Sequence, residues 1–305
     1  MRIHHYTSID TLKLILQNRT IRFNRSDQVD DPDEIELKIN GIAFAKYLLI
    51  SCWTIDERES IPQWGLYSGK SKGVRITLES NHLFQNFINS TRCYTHEQVI
   101  EKVWNKRYIQ SNGIEIFAQG FPSTQKDCTY IPYYIRHGEY NPRLRSGLAI
   151  MPPQPNDNFL TIVEYVDTLN NIYDDQIKVK HNTDNTHNFR FNTHIGYKKK
   201  KDWSFQNEAR FVLMLMHTLP QKWNGLIIDA PNYCFTEYEF PPIDSEGNEL
   251  KYYDIEIDED AFDYLEVIAG PETDDNDKRI IKDLLSKFAP NAQFRNSSLR
   301  TKFNK

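Results

Sequence analysis

Apolar and polar positions alternate over short stretches near both ends of the chain, a pattern that predicts a framework of strands with a few amphipathic helices. Ile3 to Tyr6 reads as a first strand. Thr7-Ser8-Ile9-Asp10 follows, and its Thr-x-x-Asp spacing predicts a capping box ahead of a helix with Ile9, Leu12, Ile15 and Leu16 on the apolar side, ending near Asn18. Thr20 to Asn24 alternates as a strand, whereas Asp30 to Glu34 predicts an acidic turn. Tyr47 to Thr54 is apolar, aromatic and β-branched enough for a central strand, and Gly73 to Leu78 alternates as another. Strand patterns resume at Thr161 to Val166, at Phe205 to Leu215 and at Tyr264 to Ala269. A Gly270-Pro271 break then leads to a helix carrying Ile280, Ile281, Leu284, Leu285 and Phe288, and a short tail strand closes the chain.

The character changes from about Asn81 to Pro155. A helix capped by Thr95 with Gln98 three residues on, an aromatic run from Tyr130 to Tyr134 and a proline cluster at Pro152, Pro153 and Pro155 read together as an insertion or subdomain. A polar linker rich in Asn and His is expected between His181 and His194. Length alone, at 305 residues, fits one large domain or two.

Composition narrows the class. Hydrophobic residues are 39%, charged residues 26% and aromatics 13%, the signature of a globular chain with a sizeable core rather than a disordered one. A formal net charge of -5 argues against a surface that is basic throughout, while leaving room for a local basic patch. The four cysteines, Cys52, Cys93, Cys128 and Cys234, form neither a zinc ligand pattern nor a disulfide framework, so a reducing cytoplasm is the expected setting. The N-terminus has no signal-peptide core and the Ile42 to Ile50 run is too short to span a bilayer, so no membrane role is expected.

The segment Lys201 to Leu215 carries the sharpest polar signal, the series Gln206-x-Glu208-x-Arg210 leading into Val212, Leu213, Met214 and Leu215. In a strand those three polar side chains share one face. Two readings fit: a solvated, half-exposed strand, or a carboxylate at the mouth of a buried one. Lys198 to Lys201 fits a phosphate contact or a solvated strand edge guarded by lysines equally well. His181, His187 and His194 with Asp184 match no defined metal-ligand spacing, and no metal is expected. Neither a Gly-x-Gly-x-x-Gly turn nor a P-loop is present, which removes support for Rossmann and P-loop chemistry, and no Gly-x-Ser-x-Gly elbow marks a Ser/His/Asp triad. His5 ends the first strand, where it is either a satisfied structural histidine or one facing a cleft. Trp64 and Tyr67, three apart on a helical face, either stack on a flat ring or fill the core.

Five islands in fixed order carry a resemblance: His5-Tyr6-Thr7-Ser8; Arg22-Phe23-Asn24 with Asp31-Pro32-x-Glu34; Ser51-Cys52-Trp53 with Trp64-x-x-Tyr67; Trp203-x-x-Gln206-x-Glu208-x-Arg210; and Ile268-Ala269-Gly270-Pro271 with Ser298-Leu299-Arg300. In these the chain resembles the microbial family catalogued as domain of unknown function 2971, which is itself similar to the ADP-ribosyltransferase superfamily. The resemblance implies an α+β fold over residues 1–305, with an ADP-ribosyltransferase-like split, mixed or antiparallel sheet and residues 81–160 as the insertion. It implies NAD as co-substrate, with transfer of ADP-ribose to a macromolecular acceptor, nucleic acid or protein, in a toxin or phage-defence setting. His5, Tyr6, Thr7, Ser8, Ser51, Trp53, Trp64 and Tyr67 would line the NAD site, Glu208 would be the catalytic carboxylate and Gln206 would orient the acceptor. Arg210 has no counterpart there and is expected to pair with Glu208 or another carboxylate. A non-catalytic nucleotide or nucleic-acid binding module and an NAD hydrolase are the alternatives. The chain departs from the family pattern at Gln206, where Glu is common, and at Asp33, where an aromatic is common.

Overall fold

The computed structural model describes residues 1–36, 42–90, 160–169, 195–218 and 251–300 and, outside these, short strands and one two-residue turn. The helix expected after Thr95, the proline cluster and the residues Asp184 and His194 lie outside the described residues.

The strands that build and flank the main sheet, in chain order, are β1 (Arg2–Thr7), β2 (Thr20–Arg25), β3 (Leu48–Thr54), β4 (Val74–Glu79), β5 (Tyr133–Tyr134), β6 (Gly147–Met151), β7 (Leu160–Ile162), β8 (Glu164–Val166), β9 (Lys198–Lys200), β10 (Glu208–Thr218), β11 (Tyr252–Glu256), β12 (Glu266–Ala269) and β13 (Gln293–Asn296). Among the described residues the α-helices are α1 (Ile9–Asn18), α2 (Pro32–Ile35), α3 (Ile61–Tyr67), α4 (Gln85–Ser90) and α5 (Asp275–Phe288). The fold is α+β.

Eleven strands form one large sheet in the order β5-β6-β10-β3-β1-β4-β12-β13, with β7 added to β10, and β2 joining β3 to β11. Pairing is antiparallel except between β12 and β13. A separate two-stranded unit pairs β8 parallel to β9. Strands β5 and β6, from within residues 81–160, extend the main sheet through β10.

The sheet has a seam. β1 pairs with β4 along its whole length, but with β3 only through His4 opposite Thr54. The two strands diverge beyond that point, so the backbone of β3 is approached there by side chains of β1 instead of by its ladder. The other edge of β3 is fully paired, from Glu208 opposite Thr54 to Met214 opposite Leu48.

One apolar core covers the sheet. Leu12, Ile15 and Leu16 of α1 are buried, as are Ile281 and Leu285 of α5. Phe84 contacts Phe23 and Phe211 edge-on at centroid separations of 5.5 and 5.0 Å, tying the segment before α4 to β2 and β10. A smaller cluster groups Tyr6, Trp64 and Ile268. Two local expectations are corrected. The cap of α1 is Ser8, whose Oγ accepts from Thr11 N–H at 3.0 Å, so the helix begins one residue later than a Thr7 cap requires. The segment expected to be a linker, His181 to His194, includes paired strand: Ile177–His181 pairs with His187–Phe191.

Gly270 is required by close approach. A Cβ there would lie 2.2 Å from the Ser71 carbonyl oxygen, and the Gly270 N–H donates to the Gly73 carbonyl at 2.9 Å.

Candidate functional site

A cavity of about 240 Å³, open to solvent on one side, lies at the seam between β1 and β3. His4, His5 and Tyr6 come from β1, Cys52, Trp53 and Thr54 from β3, and Glu208 and Arg210 from the start of β10. Tyr67 closes one side from α3, and Glu34 another from α2.

Glu208 is 3% exposed and surrounded by donors. Arg210, two residues on along the same strand face, gives Nε to Oε1 at 2.5 Å and Nη2 to Oε2 at 3.1 Å. Lys199 Nζ reaches Oε2 at 3.2 Å, and the Cys52 thiol faces the same carboxylate and lowers its pKa further. Burial pushes the Glu208 carboxyl up, but the charges of Arg210 and Lys199 outweigh that and hold it at about 2, so it is ionised throughout the neutral range. Burial and the Glu208 charge push the Cys52 thiol well up, so it stays protonated as a donor.

Arg210 is fixed from three sides. Its Nη1 donates to the Gly196 carbonyl at 3.1 Å, and Nη2 also sits 2.7 Å from Glu34 Oε1. Gly196 has φ +84, a left-handed conformation that a side chain would strain, and a Cβ there would crowd Leu48 and Val212 at 3.2 and 3.3 Å. The chain therefore turns at Gly196 with its carbonyl aimed at the guanidinium. Glu34 itself is buried; Arg210 reaches its Oε1, while its Oε2 has no hydrogen bond. Burial, with the neighbouring Glu208 charge, raises its carboxyl above the ordinary range despite Arg210 and Lys199.

Each lysine of the run, expected at a phosphate contact or a solvated edge, faces a carboxylate: Lys198 to Glu164, Lys200 to Asp33 and Lys201 to Asp167 at the surface, and Lys199 to Glu208 in the interior. Lys199 is 6% exposed and points inward because β9 alternates, with Lys198 and Lys200 on the other face. Its ammonium also lies 4.8 Å from the Trp203 ring centroid.

Gln206 lies on no strand. It ends a 3-10 helix, Lys201–Gln206, and Asn207 at φ 42 turns the chain into β10. The sequence alternation continues across this turn, which is why the three polar residues looked like one face. Gln206 Nε2 still reaches the Tyr67 hydroxyl at 2.5 Å, its Oε1 has no hydrogen bond, and its backbone carbonyl accepts from Gln63 Nε2 at 3.1 Å.

No family model, curated protein or solved structure matches this chain.

His5 Nδ1 lies 3.0 Å from the Cys52 carbonyl, which can only accept, so Nδ1 carries the hydrogen and Nε2 is an acceptor. Burial lowers the His5 pKa, keeping the ring neutral. The ring leans on Trp53 at 5.3 Å. His4 is likewise buried and neutral, its pKa lowered to about 3 by burial and the charge of Arg75, and its Nδ1 contacts Thr77 Oγ1 at 2.8 Å.

The expected site residues thus divide. His5, Tyr6, Trp53, Tyr67, Gln206 and Glu208 line the cavity. Thr7, Ser8, Ser51 and Trp64 are absent from its lining: Ser8 caps α1, Thr7 pairs with Val74, Ser51 Oγ accepts from Trp53 Nε1 at 3.0 Å, and Trp64 fills the core beside Tyr6. Glu34, Cys52 and Lys199 were not singled out as site residues by sequence. A signal existed for Glu34, whose Asp-Pro-x-Glu turn stands in the ordered islands, and for Lys199, which is the middle residue of a short alternating strand. Among the described residues no group of three or more His, Cys, Asp and Glu could hold a metal ion, and no helix is long and apolar enough to cross a membrane.

Proposed function

We propose that this cavity binds NAD and that the protein transfers its ADP-ribosyl group to a macromolecular acceptor, nucleic acid or protein. In this reading the seam between β1 and β3 is the cleft of an ADP-ribosyltransferase-like split sheet, of the kind expected for the domain of unknown function 2971 family. The observation that carries it is Glu208: an ionised carboxylate in a cavity walled by the rings of His5, Trp53 and Tyr67.

Cleavage of the bond between nicotinamide and ribose builds positive charge at C1′ of the sugar. A fixed carboxylate beside that centre, able to accept from the 2′-hydroxyl, stabilises the charge as it develops. Three acceptors suit the donors of the nicotinamide ribose half: Gln206 Oε1 and Glu34 Oε2, which have no hydrogen bond, and His5 Nε2. The volume is below the roughly 300–1,000 Å³ of a drug-sized pocket. It suits insertion of one ring and sugar, with the pyrophosphate and adenosine at the open side.

One observation favours a second reading. Both Glu208 oxygens already accept hydrogen bonds, Oε1 from Arg210 and Oε2 from Arg210 and Lys199, which fits a binding module whose buried ion pairs only shape the cavity. Incubation with NAD labelled in its adenylate portion, in the presence of cell extract, separates the outcomes. Label on protein or nucleic acid supports transfer, label only in free ADP-ribose makes water the acceptor, and intact NAD together with a ligand-induced rise in Tm supports the binding module.

A further inference from the structure

Glu208 is poorly suited to removing a proton. Arg210 and Lys199 both donate to it, and a carboxylate so stabilised is a weak base. Transfer to a hydroxyl, an amide or water nevertheless requires that the nucleophile lose a proton.

Glu34 is the other carboxylate of the cavity. It comes from a different part of the chain, α2, yet Arg210 Nη2 touches both carboxylates, 2.7 Å from Glu34 Oε1 and 3.1 Å from Glu208 Oε2. Its side chain is 5% exposed and lines the cavity; Arg210 holds Oε1, and Oε2 has no hydrogen bond. A buried carboxylate with open lone pairs costs stability unless something occupies them. From the geometry we infer that Glu34 accepts the proton of the incoming nucleophile, leaving Glu208 to stabilise the charge on the sugar; this rests on the transfer reading above.

The step balances. The C1′–N bond breaks with its electron pair passing to the nicotinamide nitrogen, which is cationic in NAD and leaves neutral without a proton. The nucleophile's lone pair forms the new C1′–O or C1′–N bond, and its proton passes to a Glu34 oxygen. The environments of the two carboxylates are driven apart as a division between base and electrostatic stabiliser demands. Burial, Arg210 and Glu208 on β10 and Lys199 on β9 set the Glu34 titration, the Tyr165 and Tyr173 hydroxyls lie within its electrostatic reach, and Asp30 shares the cavity wall.

The test follows nicotinamide release from NAD by wild type, Glu34→Gln, Glu34→Asp and Glu34→Ala, with NAD affinity measured in parallel. Wild type should show an acidic limb in kcat/KM set above the ordinary carboxylate range. Glu34→Gln should lose that limb and ~10²-fold or more in kcat while still binding NAD. Glu34→Asp should keep the limb at a reduced rate. Azide, an anionic nucleophile with no proton to lose, should restore release by Glu34→Ala and yield the ADP-ribosyl azide. Wild-type release with an unchanged rate and limb in Glu34→Gln overturns the assignment alone, as does failure of azide on a Glu34→Ala protein that binds NAD. A wild type that releases no nicotinamide overturns the transfer reading and this assignment with it.

Discussion

Lys199 Nζ lies 3.2 Å from Glu208 Oε2, with the two side chains 7% and 4% exposed. The lysine comes from the middle of a four-lysine run, so the residue that looks most like solvated charge is part of the cavity. Replacing it by Met keeps the stem volume and removes the ammonium. Lys199→Met should raise the Glu208 pKa and lower stability by about 1–3 kcal/mol, since one donor to a buried carboxylate is lost while Arg210 remains. Urea unfolding of the two proteins at neutral pH checks this.

Acid should weaken the fold through Glu208. Its folded pKa, about 2, lies below the ordinary 4.5 of a glutamate, so its contribution is complete above pH 4.5 and is lost as pH falls toward 2. Glu34, raised by burial, acts in the opposite sense: it opposes folding near neutrality, and that cost disappears as it protonates. Unfolding free energies followed from pH 6 to pH 2, about four units in which linkage acts, should fall less steeply for Glu208→Gln than for wild type. Glu34→Gln should gain relative to wild type near neutral pH.

Trp64 and Tyr67 lie three apart on α3 but should respond differently. Trp64 donates Nε1 to Glu59 at 3.0 Å, and Glu59 also accepts from Ser297 and from Ser298 N–H, so this ring helps hold the C-terminal segment. Trp64→Phe should lower Tm and leave NAD affinity unchanged. Tyr67→Phe removes the hydroxyl that accepts from Gln206 and should weaken NAD binding by roughly 1 kcal/mol, one hydrogen bond's worth of positioning. Calorimetric titration alongside thermal unfolding separates the two.

Gly270→Ala should destabilise by about 1–3 kcal/mol or more, because its Cβ would meet a backbone oxygen that no rotamer change can move. Thermal unfolding checks it.

Much of the framework was legible because strands and helices with one buried face print their period on the sequence. α1 shows this in Leu12, Ile15 and Leu16, and α5 in Ile281 and Leu285. Strand β11 gave no expectation at all, since its residues Tyr252 to Glu256 are mostly exposed or half-buried and pair only with β2. Glu208 and Arg210 sharing a face was readable from the period of two. That the pair would be buried was not, because burial depends on Lys199 and Glu34, both distant along the chain or disguised by like neighbours. Gln206 was misplaced on a strand because alternation cannot reveal a left-handed residue such as Asn207 between it and Glu208.

The most direct test of the central claim is nicotinamide release from NAD by wild type and by Glu208→Gln, a substitution that keeps the side-chain shape and removes the charge. The account predicts release by wild type and a loss of ~10²-fold or more in kcat for the variant, with NAD still bound. Equal release by both proteins, or none by wild type, would contradict it.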